Sequence, residues 1–197
     1  MDSPLPTRYC LRYATQPLWI EVVLANLDHF LLDHAAAEKK ASGMAMSMVS
    51  HYPDKTDIVL AMVDLALEEL AHFKQVVKII VERGLMLGAD SPDPYVNQLR
   101  ALHRKGSDVY LLDRLLIASI VEARGCERFG LIATHLPEGP LKHFYRAICD
   151  SEARHEDLFL GLALQHFEQP IVMTRLDELL DKEAAIVAAL PIRAALH

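Results

Sequence analysis

Apolar residues recur every three or four positions along most of the chain, the period of an α-helix with one buried face. The first long run extends from about Leu27 to Tyr52 and stops at "HYPDK", where Pro53 ends it and Asp54 or Thr56 can cap the next helix. The second runs to Arg83, with Gly84 as its stop. Residues 94–105 read as a short helix ending in "HRKG". Ser107 or Asp108 is placed to cap a third long helix to about His135, which "LPEGP" breaks. A fourth runs from near Leu141 to about Phe167, and Pro170 separates a last helix over 171–189. Residues 17–25 read as a short leading helix. No stretch shows strand-like alternation. Four long helices, each about 25 residues or ~38 Å, predict an all-α four-helix bundle with additional short helices. With no linker in the pattern, residues 1–197 read as one domain.

The inner stripes carry charge. The second long helix presents Ile58, Met62, Leu65, Glu69, His72, Val76 and Ile80 on one face. The fourth presents Leu141, Tyr145, Ile148, Glu152, His155, Phe159, Leu162 and His166. The first presents Leu27, Leu31, His34, Glu38, Ala41, Ala45 and Met48, and the third Leu115, Ala118, Glu122, Gly125, Phe129 and Ile132. Each long helix therefore sets one glutamate on its inner face. Glu38 and Glu69 are 31 residues apart, and Glu122 and Glu152 are 30 apart. The order Glu, Glu-x-x-His occurs twice, as in a duplicated helical pair.

Four buried carboxylates without compensation cost many kcal/mol. Two divalent metals cancel their charge, and residues at i and i+3 on a helix can reach one ion. Two Glu-x-x-His pairs with two further glutamates form the ligand set of carboxylate-bridged di-iron or di-manganese bundles. A metal-free bundle would have to explain four inner carboxylates. Glu68, Glu156 and Asp157 fall off the stripes and read as solvated, as do Glu127 and Asp150. His34, one turn before Glu38, is placed either to support that ligand or to serve as an ordinary structural histidine.

Composition narrows the class further. The chain is 52% hydrophobic with a formal charge of −7. Setting the four inner glutamates aside leaves −3 for the rest of the molecule. Cys10, Cys126 and Cys149 are odd in number and lack CxxC spacing, which argues against a disulfide framework. "MDSPLPTRYC" lacks a signal-peptide layout, and no apolar run reaches the ~18–20 residues of a membrane span. The expected setting is the cytoplasm, with no membrane association. The oligomeric state is left open, a monomer included.

"DHAAAEKKAS", "LEELAHF", "IVEARGCERF" and "DSEARHE" together resemble the tRNA 2-methylthio-isopentenyladenosine hydroxylases, within the ferritin-like di-iron carboxylate proteins. The resemblance implies an O₂-dependent hydroxylation of the isopentenyl group on a modified adenosine beside the anticodon of tRNA. It implies two iron ions, one held by Glu38, Glu69 and His72 and the other by Glu122, Glu152 and His155, with Glu69 and Glu152 bridging. No catalytic residue beyond these ligands is expected. No flavin or nicotinamide fingerprint is present, so electrons are expected from an external reductase. The small residues Ala41, Ala45, Ala118 and Gly125 mark either close helix packing or a pocket for the prenyl chain.

Basic residues for the tRNA backbone cluster in "RALHRKG", with Arg104 and Lys105 foremost. Lys39, Lys40, Arg124, Arg154, Lys142, His143 and Arg146 are further candidates. The competing reading is a rubrerythrin- or ferritin-like protein that binds iron or scavenges peroxide. Against the former stands the lack of a Cys-x-x-Cys electron-transfer module.

Overall fold

A computed structural model describes residues 9–197. The leader reading of residues 1–8 lies outside them. The described residues form seven helices and no strand: α1 Pro17–Ala25, α2 Leu27–His51, α3 Thr56–Glu82, α4 Pro94–Arg100, α5 Ser107–His135, α6 Pro140–His166 and α7 Gln169–Ala189. The class is all-α, and the four long helices stand where the apolar period puts them. None of the described helices is long and apolar enough to cross a membrane. The described residues divide into two compact units, one holding α1–α3 with residues 192–196, the other holding residues 9–16, α4–α7 and His197.

In the first unit α2 packs along α3. All seven residues of the α3 stripe, from Ile58 to Ile80, are buried. Ser42 Oγ donates to the Ala66 carbonyl at 2.9 Å, so a side chain joins the two helices where their backbones cannot. The C-terminal residues close over α1 and α2, where Trp19 Nε1 donates to the Ala195 carbonyl and the Leu196 amide donates to Asp33. α3 ends as its sequence predicts. Gly84 takes φ +74°, and the amides of Gly84 and Leu85 donate to the carbonyls of Val81 and Ile80. A residue with a Cβ resists that left-handed conformation. The start of α3 differs from expectation. Thr56 is already helical, Lys55 holds the cap position, and no side chain caps the helix.

In the second unit α5 packs along α6, with α7 against both. α5 is buried nearly all round between Leu111 and Gly125. Neither Ser107 nor Asp108 caps it; Gly106 holds that position at φ +117°. α4 is shorter than the period suggests and stops at Arg100. Beyond it the Arg104 amide and guanidinium both donate to Asp113, and Arg175 donates to the Leu102 carbonyl and to Asp113. These bonds draw residues 102–104 away from a helical path.

Three side chains expected at the surface are not there. Arg124 is wholly buried, donating to Glu183, Glu127, Thr15 Oγ1 and the Tyr13 carbonyl. Glu127 is half-buried and also receives the amide and hydroxyl of Thr15. Glu156 is buried because α6 hides two adjacent rows, Ser151, Glu152, His155, Glu156, Phe159, Leu160, Leu162 and Ala163, rather than the single narrow stripe. Asp150 and Asp157 are exposed, as expected.

Candidate metal centre

In the first unit, α2 supplies Glu38 and α3 supplies Glu69 and His72, all three buried. Each offers one ligand atom within 4.8 Å of the others. His72 Nδ1 lies 3.5 Å from Glu38 Oε2 and 3.8 Å from Glu69 Oε2. These contacts follow from the sequence: Glu69 and His72 share a face one turn apart, and the packed partner α2 carries Glu38 opposite them.

Burial raises the Glu38 carboxyl above its ordinary range, opposed by hydrogen bonds from His34 and His72. His72 is pulled down by burial, but Glu38 and Glu69 overcome this and lift it to about 9. In the metal-free chain a proton on this imidazole thus offsets part of the carboxylate charge. His34 is fully out of solvent, with Nε2 2.5 Å from Glu38 Oε1. Glu68 is half-exposed, with one oxygen 4.0 Å from His72 Nε2.

In the second unit, α5 supplies Glu122 and α6 supplies Glu152 and His155, again all buried and with ligand atoms within 4.8 Å of one another. His155 Nδ1 lies 3.8 Å from Glu122 Oε2, and His155 Nε2 lies 3.5 Å from Ser151 Oγ. An added Cβ at Gly125 would stand 3.1 Å from Glu152 Oε2, so the missing side chain leaves the place where this carboxylate sits.

Each triad is two carboxylates and one imidazole. That donor set is hard enough for iron or manganese, and its charge of −2 matches one divalent ion. The residues present therefore fit the metal that the sequence implies.

The other sequence candidates divide. Ala45 and Ala118 are buried and Ala41 is half-buried. Lys105 is exposed, whereas the Arg104 guanidinium is held by Asp113. Lys39 and Lys40 tie down the loop after α3 through Asp90 and the Ser91 carbonyl. Lys142 and Arg146 face Glu138, and Arg154 donates to the Asp150 carbonyl. Sequence reasoning missed Glu183, a buried carboxylate on α7 bonded by Tyr95 and Arg124, because a lone acid in an amphipathic helix carries no local mark of burial.

Comparison with known proteins bears on these triads. A family model described as "tRNA-(MS[2]IO[6]A)-hydroxylase (MiaE)" matches residues 4–197. A tRNA 2-(methylsulfanyl)-N(6)-isopentenyladenosine(37) hydroxylase of Pseudomonas putida is 40% identical over 149 residues, 76% of this chain and 72% of that protein. The protein of the same description from Salmonella typhimurium is 34% identical over 133 residues, 68% of this chain and 48% of its own length. A solved structure, "Protein 43 with aldehyde deformylating oxygenase activity from Synechococcus", superposes with a TM-score of 0.90 at 34% identity. It covers 95% of this chain and 94% of that one.

Proposed function

The chain belongs to the tRNA-(MS[2]IO[6]A)-hydroxylase family, and on that premise we propose that it hydroxylates the isopentenyl side chain of a 2-methylthio-isopentenyladenosine beside the anticodon, using two iron ions and O₂. The observation that carries this reading is the pair of buried Glu, Glu, His triads, one in each helical unit. Glu38, Glu69 and His72 hold one iron; Glu122, Glu152 and His155 hold the other. Residues 1–197 are proposed to act as one di-iron domain. Bound in this way, the irons supply the activation of O₂ that places one oxygen atom on an allylic carbon.

The chain's own residues do the rest. The carboxylates fix the charge and the imidazoles complete each ligand set. His34 holds Glu38 Oε1 so that Oε2 is directed toward His72. Burial of all six ligands excludes water from the reacting centre. Ala41, Ala45 and Ala118 lie on the ligand helices as candidates to line a site for a short branched chain, whereas the space beside Gly125 is taken by the Glu152 carboxylate. Lys105 contacts the tRNA backbone. Arg104 is already committed to Asp113, so its share is smaller. Two electrons come from an external reductase, and the enzyme works in the cytoplasm.

The test supplies the iron-loaded chain with prenylated tRNA, O₂ and a reductant, and analyses the nucleosides by mass. The expected product is the prenyl adenosine one oxygen heavier, formed only when all components are present. Consumption of peroxide with no change in the nucleoside would instead favour the scavenging function.

A further inference from the structure

α5 and α6 carry a second pair of reactive side chains, separate from the ligands. Cys126 on α5 and Cys149 on α6 bring their Sγ atoms to 3.1 Å, and the Cys149 thiol donates to the Cys126 carbonyl at 3.2 Å. Neither is in a disulfide and both are half-buried, so a small oxidant can reach them. Gly130 on α5 lies beside the pair, and a Cβ added there would stand 3.5 Å from Cys149 Sγ. A disulfide bond is about 2.05 Å long, so closure needs the sulfurs to approach by about 1 Å, within reach of small side-chain rotations.

We propose that Cys126 and Cys149 form a reversible redox site that closes into a disulfide between α5 and α6, with hydrogen peroxide as oxidant and a dithiol as reductant. One cysteine sulfur, as thiolate, attacks a peroxide oxygen; the O–O bond breaks and hydroxide leaves, taking up a proton as water. The second sulfur then displaces the oxygen from the resulting sulfenic acid, releasing a second water. Two thiols and one peroxide become one disulfide and two waters. The cysteines lose two electrons and two protons, and the dithiol returns them. The hydrogen-bond contact with Cys149 and burial hold the Cys126 thiol above its ordinary range. Cys126 lies one turn after Glu122, and Cys149 lies three residues before Glu152. The disulfide therefore cross-links the two helices that carry this triad. The inference stands on thiol geometry alone and does not depend on the proposed reaction.

The full-length Cys10→Ser chain, as purified, is treated with stepwise equivalents of hydrogen peroxide, alkylated, and mapped by non-reducing mass spectrometry. One equivalent is expected to remove two alkylatable thiols and yield a product two hydrogens lighter. A peptide cross-linked through Cys126 and Cys149 should appear, the thermal midpoint should rise, and dithiothreitol should reverse both. Cys126→Ser and Cys149→Ser should each abolish the cross-link while keeping the parent's helical circular dichroism. If either variant fails to fold, the mapped cross-link in the parent decides alone. Sulfenic or sulfinic acid accumulating on one cysteine while the other stays alkylatable overturns the proposal. So does a cross-link that a dithiol does not reopen.

Discussion

His34 lies wholly out of solvent with its Nε2 2.5 Å from Oε1 of Glu38, one turn further along α2. If Glu38 is a ligand, as proposed, this buried histidine fixes which of its oxygens remains for the metal. His34→Ala should therefore weaken iron retention about 10- to 100-fold, the usual effect of losing such a support. Iron titration with helical content followed in parallel measures this. Unchanged affinity in a folded variant would reduce His34 to a packing residue.

Gly125→Ala adds one methyl group, 3.1 Å from Glu152 Oε2. The carboxylate must give way by a few tenths of an ångström, because 3.1 Å is closer than a Cβ ordinarily approaches. Iron content should fall from about two per chain toward one, with the helical spectrum unchanged. Full occupancy would show that Glu152 relocates without loss.

Asp113 is fully buried between Arg104 and Arg175. Burial raises its carboxyl, but the hydrogen bonds from both arginines bring it below the ordinary value. A lowered carboxyl stabilises the fold at pH above the ordinary ~4 and loses that contribution as pH falls through the folded value. Asp113→Asn should cost about 2–3 kcal/mol at neutral pH, with the deficit shrinking in acid. Denaturant midpoints at neutral and acid pH check the sign; a deficit that grows in acid contradicts it.

Lys105 is exposed beside the Arg104–Asp113 pair. Lys105→Glu should weaken tRNA binding and reduce its salt slope by about one phosphate contact. Arg104 is a poorer probe, because reversing its charge also breaks its bonds to Asp113. Binding that keeps its strength and slope across salt removes Lys105 from the interface.

Ala45 is fully buried, seven residues beyond Glu38 on α2. On the proposed function, Ala45→Phe should block turnover while leaving tRNA affinity near that of the parent, because Ala45 is buried and the proposed tRNA contact, Lys105, is exposed. Overpacking itself costs about 1–3 kcal/mol, so a thermal melt accompanies the assay. Product formation at the parental rate would exclude a prenyl pocket at Ala45.

Local physics made much of this molecule legible. The α3 stripe from Ile58 to Ile80 is a periodic pattern, and all of it is buried. Gly84 stops α3 because a left-handed turn needs a residue without a Cβ, a property of that residue alone. Glu38, Glu69, His72, Glu122, Glu152 and His155 were readable as inner-face groups because helical spacing fixes direction. Their gathering into buried triads of 4.8 Å reach required packed helices. The caps at Lys55 and Gly106 were not readable from neighbouring Thr56 and Ser107, since helix entry follows the preceding turn as well as side-chain preference.

The sequence by itself determined the helices, their buried faces and the six inward ligand candidates, because these follow from a 3.6-residue period and the cost of burying charge. Only the tertiary structure decided that Arg124, Glu156 and Glu183 are buried, that Arg104 answers to Asp113, and that Cys126 meets Cys149. Those outcomes depend on which surfaces from distant parts of the chain come together, and no local pattern records the neighbour that removes a side chain from water.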